Sequence, residues 1–303
     1  DSGNLVAGLI VMIRGCLDVL DRPVVRAQQW EGGCDALDVL EEVLESLRDG
    51  GLETETARSL RDRMEWLRDQ LLAAESTPAN WATVLDTVCY DGCRTLSEEI
   101  AEVIEAESAR IDVESLRDLT VWSDRVHHHL ISLQSETELL LPWVSMLREP
   151  PELFRDPETA PDILEAWRAL EASLPDDPTL SGVPAVCDAA DRRLEYLRDL
   201  LVRGASAEPR LREARLWCAN LADGLQDARE TAEDLLEDMQ FVIERAREVV
   251  AETDFRFLYD RRREVFHIGY NVDIGELDGS YYDLLASEAR TASLLAIAKG
   301  DVP

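Results

Sequence analysis

The sequence predicts an all-α protein, an antiparallel helical bundle with a short β-hairpin near residues 255–272. Three observations carry this. Apolar residues recur at spacings of three and four along most of the chain. The stripes are separated by short Gly- and Pro-containing breaks. Apolar residues make up 46% and charged residues 31% of the 303 positions, a soluble, helix-rich mixture.

Residues 4–20 read as a mostly buried helix stopped by Asp21, Arg22 and Pro23. Leu37, Leu40, Leu44 and Leu47 then form one stripe, ended by Gly50 and Gly51. Ala57, Leu60, Met64, Leu67 and Leu71 form the next, broken at Pro78. A fourth helix runs from about Asn80 toward Ala109, with Trp81, Leu85, Val88, Leu96, Ile100 and Val103 as its apolar face. Asp112 can cap a fifth, which continues past Leu133 and kinks near Pro142. Pro150, Pro151, Pro157 and Pro161 mark a loop, followed by helices around 163–174 and 185–203. Pro209 suits the first turn of a long helix reaching toward Glu252, for which a bend is expected.

After Thr253 the style changes. Phe255, Phe257 and Tyr259 alternate, as do Phe266, Ile268 and Tyr270, which is the period of a strand. The stretch "GSYYDLLASEARTASLLAIAKGD" then reads as a helix capped near Ser280 and ended by Gly300.

The formal net charge is −32, which repels nucleic-acid phosphates and anionic lipid and argues against a nucleic-acid partner. Lys299 is the sole lysine, and the sequence gives it no role in a binding site. The run Leu5–Ile13 is short for a bilayer, so no membrane span is expected in this stretch. No leader is visible at the start, and the chain reads as a piece of something larger. The six cysteines show no dense disulfide framework and are expected as reduced thiols.

Neither a metal site nor a cofactor is expected. His127, His128 and His129 are consecutive and diverge on a helix; Asp124 and His128 have a usable spacing but are read as exposed helix. Cys89 and Cys93 share a face but lack a second ligand pair, so they read as buried thiols. There is no phosphate-binding glycine loop and no nucleophile elbow.

The C-terminal helix offers more. Tyr281, Leu285, Glu288 and Ala292 share one face; Asp283, Ser287 and Arg290 share another. Ala286, Ala289, Ser293 and Ala296 form a third, small enough for close packing. A carboxylate such as Glu288 among apolar neighbours needs a partner. Its pattern fits a structural ion pair with an arginine. It also fits a sugar site, where tyrosine rings cover a pyranose face while carboxylate and guanidinium groups bind hydroxyls.

The stretch "DFRFLYDRRREVFHIGYNVDIGELDGSYYDLLASEARTASLLAIAKGDVP" (254–303) strongly resembles the central region of bacterial cyclic β-1,2-glucan synthases. The opening "DSGNLVAGLIVMIRGCLDVLD" resembles a second segment of that family, in which an Asp-Ser-Gly-Asn-Leu motif begins a helix. The resemblance implies that residues 1–22 and 254–303 are segments of a glucoamylase-like (α/α) barrel, and that residues 23–253 are an acidic helical bundle between them.

It also implies a role in closing linear β-1,2-glucan into rings by transglycosylation, within a large protein of the bacterial inner membrane, on its cytoplasmic side. Such chemistry uses two carboxylates, about 5 Å apart in retaining enzymes. The family motifs expected to supply them lie beyond Pro303, so no catalytic residue is assigned here and this stretch alone is expected to be inactive. Asp1, Asn4, Tyr281, Tyr282, Asp283, Glu288 and Arg290 match family motifs and have chemistry suited to glucan contacts. The expected partners are β-1,2-glucan and other domains of the same polypeptide. The alternative is a non-catalytic helical interaction module that docks such domains.

Overall fold

In the computed structural model, which describes residues 2–49, 54–76, 81–107, 112–203, 209–281 and 289–303, the predicted apolar stripes become helices. In chain order they are α1 (Ser2–Leu20), α2 (Ala27–Asp49), α3 (Glu55–Ser76), α4 (Trp81–Thr87), α5 (Cys93–Glu107) and α6 (Val113–Leu140). There follow α7 (Pro142–Arg148), α8 (Glu152–Arg155), α9 (Pro161–Glu171), α10 (Val183–Arg203), α11 (Pro209–Glu252) and α12 (Ala289–Lys299). The fold is all-α, with two small antiparallel hairpins between α11 and α12. The chain forms two compact units, residues 22–233 and residues 1–21 together with 234–303.

Residues 22–233 are a helical bundle built on the stripes. Leu37, Leu40 and Leu44 of α2, Leu60, Leu67 and Leu71 of α3, and Leu119, Val126 and Leu130 of α6 are all fully buried. α2 packs on α3 and α6, and α3 packs on α5. Arg68 ties α3 to α2 through Asp38 at 2.5 Å and Glu41 at 2.7 Å. Asp112 caps α6, accepting the Ser115 amide at 2.9 Å. Leu141 leaves helical geometry at φ −133°, and Pro142 restarts the chain as the first residue of α7.

The helix predicted from Asn80 is continuous through Trp81–Glu107, but a π-turn occupies Val88–Gly92. Gly92 lies beneath Leu67, whose Cδ2 would stand 2.5 Å from any added Cβ. The π-turn therefore accompanies a close approach of α3.

α9, α10 and the first half of α11 carry the remaining core of this unit. Phe154 stacks on Trp167 at 4.5 Å, and Trp217 meets Trp167 edge-on at 5.3 Å. Arg215 of α11 donates through Nη2 to the Leu201 carbonyl at 2.5 Å, satisfying an acceptor at the end of α10. α11 shows no break over its 44 residues. Its buried positions Leu211, Ala214, Cys218, Leu221, Leu225, Ala228 and Ala232 alternate spacings of three and four, so they form one seam.

The smaller unit has its own core: Val6 from α1, Phe255 and Phe266 from the hairpin region, and Ala296 and Val302 at the C-terminus. α1 and α12 come close because Gly3 has no side chain; a Cβ there would lie 2.7 Å from that of Ala292. Gly300 ends α12 in left-handed geometry, at φ +74°. Its amide binds Ile297 at 3.0 Å and the Asp301 amide binds Ala296 at 2.8 Å, the paired bonds of a Schellman cap.

The predicted hairpin becomes two. β1 (Tyr259–Asp260) pairs with β2 (Val265–Phe266), and β3 (Tyr270–Asn271) with β4 (Glu276–Leu277). The second lies partly beyond residue 272. Phe257, read as part of a strand, belongs to a 3₁₀ turn over Arg256–Leu258. The Ser280 carbonyl accepts the Ile268 amide at 3.0 Å beside a bridge joining His267 and Tyr281. The predicted start of the last helix lies outside the described residues, which resume at Ala289.

α1 also revises a length argument. The helix extends well past the Leu5–Ile13 run, and its 19 residues are long and apolar enough to cross a membrane by length and composition. Within the smaller unit its Gly3 and Val6 are buried.

Candidate functional site

The two hairpins assemble a polar cluster around Tyr281. The β1–β2 turn is set by Asp260, whose Oδ1 accepts the amides of Arg262 at 2.8 Å and Arg263 at 3.2 Å. Glu264 closes this turn at φ 56°. The other carboxylate oxygen of Asp260 accepts the Tyr281 hydroxyl at 2.8 Å. The Arg263 guanidinium stands 4.4 Å from the Tyr281 ring centre, and the His267 ring 4.5 Å from it.

Each contact restricts the next. His267 Nδ1 lies 2.7 Å from the Asp278 carbonyl, which can only accept, so this nitrogen donates. In the neutral ring that leaves Nε2 as an acceptor. Asp278 in turn holds the Ser280 amide at 2.8 Å, fixing the chain just before Tyr281. The Tyr281 hydroxyl bond, joined by the Arg262 amide, holds the Asp260 carboxyl below its ordinary range. The same bond raises the Tyr281 phenol. Near neutral pH the pair is therefore carboxylate and phenol.

The cluster offers a carboxylate, a guanidinium, an imidazole and a phenol within one turn-built surface. That set suits multiple hydrogen bonds to hydroxyl groups. The expectation from sequence was tyrosine rings covering a pyranose face beside carboxylate and guanidinium groups; here Arg263 and His267 rest against the Tyr281 ring.

Of the residues singled out from sequence, Tyr281 sits at the centre of this cluster. Asn4 is exposed in the first turn of α1, and Arg290 is exposed in the first turn of α12. Those two helices pack on each other through Gly3 and Ala292. Asp1, Tyr282, Asp283 and Glu288 lie outside the described residues. Sequence reasoning missed Asp260, Arg263 and His267. The available signal was an aspartate opening the charged turn "DRRRE" between two aromatic strands.

Among the described residues, no three His, Cys, Asp or Glu side chains gather to hold a metal ion. His127 and His128 are exposed, and His129 Nε2 lies 2.7 Å from the Gln29 carbonyl. Cys89 and Cys93 are buried free thiols, which desolvation pushes up to about 12 and about 11.

The architecture is that of an all-α protein with a hairpin-built polar cluster in its smaller unit. The chain is 48% identical over 85 residues to the cyclic beta-(1,2)-glucan synthase NdvB of Rhizobium meliloti (strain 1021). The match covers 28% of this chain and 3% of that protein, so the chain spans a small fraction of its relative's length. It supports the relationship to cyclic β-1,2-glucan synthases that the residues themselves pointed to. No protein-family model matches the chain.

Proposed function

We propose that this chain is a segment of a cyclic β-1,2-glucan synthase and supplies scaffold and glucan contacts to the domain that closes linear β-1,2-glucan into rings by transglycosylation. The carrying observation is the 48% identity over 85 residues to the glucan synthase. The Tyr281–Asp260–Arg263–His267 cluster adds a chemical reason, since its donors and acceptors match a polyhydroxylated ligand.

In this reading residues 1–22 and 254–303 belong to a glucoamylase-like (α/α) barrel, with the acidic bundle of 23–253 between them in the sequence; the smaller unit also takes in residues 234–253. Asp1, Asn4, Tyr281, Tyr282, Asp283, Glu288 and Arg290 face the glucan path. The catalytic carboxylates come from elsewhere in the polypeptide, at the cytoplasmic side of the inner membrane.

A second reading, a non-catalytic module docking other domains, draws on a separate observation. Leu5 and Val11 on α1 and Leu294 and Ile297 on α12 are largely exposed apolar side chains. Such side chains suit burial against further helices of the parent.

The test is a Glu288→Gln substitution in the full-length protein, with cyclic and linear glucan separated by mass spectrometry. A fall in cyclic product with linear chains still made supports the glucan-contact reading. Unchanged ring closure overturns it. The chain by itself, incubated with linear β-1,2-glucan, is expected to release no product lighter by one water.

A further inference from the structure

The bundle contains a second surface with sugar-binding chemistry, far along the sequence from the hairpins. An open cleft of about 540 Å³ runs between α9 and α10. That is the size range of small-molecule sites. Ala166 and Ala169 leave room on the α9 side, flanked by Asp162 and Glu165; Arg192, Arg193 and Tyr196 line the α10 side.

Tyr196 is 57% exposed on a helix whose other face supplies Leu194 and Leu197 to the core. Across α10 and α11, Asp188 and Arg229 close on each other at 3.2 Å. In the α9–α10 cleft, no ion pair joins the two carboxylates to the two guanidinium groups among the described residues. Arg193 instead donates to the Ala189 carbonyl of its own helix at 2.9 Å.

The lining is balanced, two acids against two bases, on a chain of net charge −32. A neutral ligand is favoured over an anion in that setting. A cleft with an aromatic ring at one edge and an acid and a base, Glu165 and Arg192, on facing walls suits a neutral polyhydroxylated chain. We propose that the α9–α10 cleft is an ancillary binding site for β-1,2-glucan, with Tyr196 stacking on a glucose ring and Glu165 and Arg192 binding its hydroxyls. The identity of the sugar rests on the function proposed above; the location of the site does not.

The experiment is calorimetric titration of the intact chain with linear β-1,2-glucan oligosaccharide and, in parallel, with β-1,4-linked glucose oligomers. Tyr196→Ala, Arg192→Gln and Tyr281→Phe are compared with the unaltered chain, and circular dichroism checks that each is folded. All three positions are at least partly solvent-exposed. Tyr196→Ala is expected to weaken β-1,2-glucan binding by about tenfold, the loss of one aromatic contact. Arg192→Gln acts in the same direction, and the loss caused by Tyr196→Ala is expected to be the same in a Tyr281→Phe background.

Equal binding by Tyr196→Ala and the unaltered chain overturns the cleft. So does an absence of binding by the unaltered chain. Loss confined to Tyr281→Phe also overturns it, while leaving the hairpin reading intact. Binding of β-1,4-linked oligomers alone, lost in Tyr196→Ala, overturns β-1,2-glucan as ligand and counts against the function proposed above.

Discussion

Lys299 Nζ donates to the Val250 carbonyl at 2.9 Å, so the sole lysine of the chain caps the end of its longest helix. The same ammonium also donates to the Thr253 carbonyl and stands 3.5 Å from Asp301. Phe255 lies beneath it, 5.7 Å from the ammonium to the ring centre. A helix ends with unsatisfied carbonyls and a partial negative charge, and a cation there answers both. Replacing Lys299 with Met keeps the stem but removes the charge. The expected loss is about 1–3 kcal/mol of local stability. Amide hydrogen exchange should accelerate over the last turns of α11 and through 254–258. Unaltered exchange there would show that the cap contributes nothing.

Gly92 supports a second prediction. A Cβ at this site meets Leu67 Cδ2 at 2.5 Å and Trp66 at 3.1 Å, and Leu67 is fully buried with little room to move. Gly92→Ala should therefore destabilise the bundle, although alanine is the better helix former. The expected cost is about 1–3 kcal/mol, the usual range for overpacking. Chemical denaturation measures it. A double mutant with Leu67→Ala should lose less than the sum of the two single changes, because the clash disappears with the leucine.

These two sites mark what the sequence makes legible. The leucine stripes of α2 and α3 were readable because burial requires one residue type at a fixed period. Asp112, Pro142 and Gly300 were readable because capping and restarting a helix depend on local chemistry. The π-turn at Val88–Gly92 was not, since it is tied to Leu67 on another helix. Lys299 looked like a compositional accident because its partners lie 49 and 46 positions earlier. Tyr281 was found from a helical face, yet its partners among the described residues belong to the hairpins. The tyrosine was legible as chemistry, whereas Asp260 and His267 needed the fold to bring them to it.

Asp254 provides a pH prediction with a definite sign. Arg256 grips its carboxylate in a fork, Nε to Oδ1 at 2.9 Å and Nη2 to Oδ2 at 2.7 Å. The Arg256 amide also donates to Oδ1 at 2.8 Å. The side-chain bond, then the amide, lowers the Asp254 carboxyl to about 2. The unfolded value is about 3.9. A folded value below the unfolded one stabilises above the unfolded range, and the contribution disappears as pH falls toward the folded value. A carbon-detected titration should show Asp254 still charged at pH ~3, where an ordinary aspartate is largely protonated. In Arg256→Gln its midpoint should rise toward the ordinary value. An unshifted midpoint in that variant would assign the effect to the backbone amide alone.

The Asp260–Tyr281 pair carries the last prediction, and it is bounded on both sides in pH. The hydrogen bond needs a phenol donor and is strongest to a carboxylate. Asp260 is held below its ordinary range, so its part is present above that range and lost as pH falls through the lowered value. Tyr281 is raised, so its part is present below the ordinary phenol range and lost as pH rises through the raised value. Asp260→Asn should lower the raised Tyr281 phenol, assigned in an absorbance titration by its loss in Tyr281→Phe, toward the ordinary ~10. Tyr281→Phe should delete that phenol and let the Asp260 carboxyl climb. Because Asp260 also sets the β1–β2 turn through two amides, the asparagine variant keeps the turn acceptor while removing the charge. Identical phenol titrations for the unaltered chain and Asp260→Asn would dissolve the pair. If the phenol does fall, glucan binding measured on the same two proteins tests whether the charge of this pair takes part in the glucan contact proposed above.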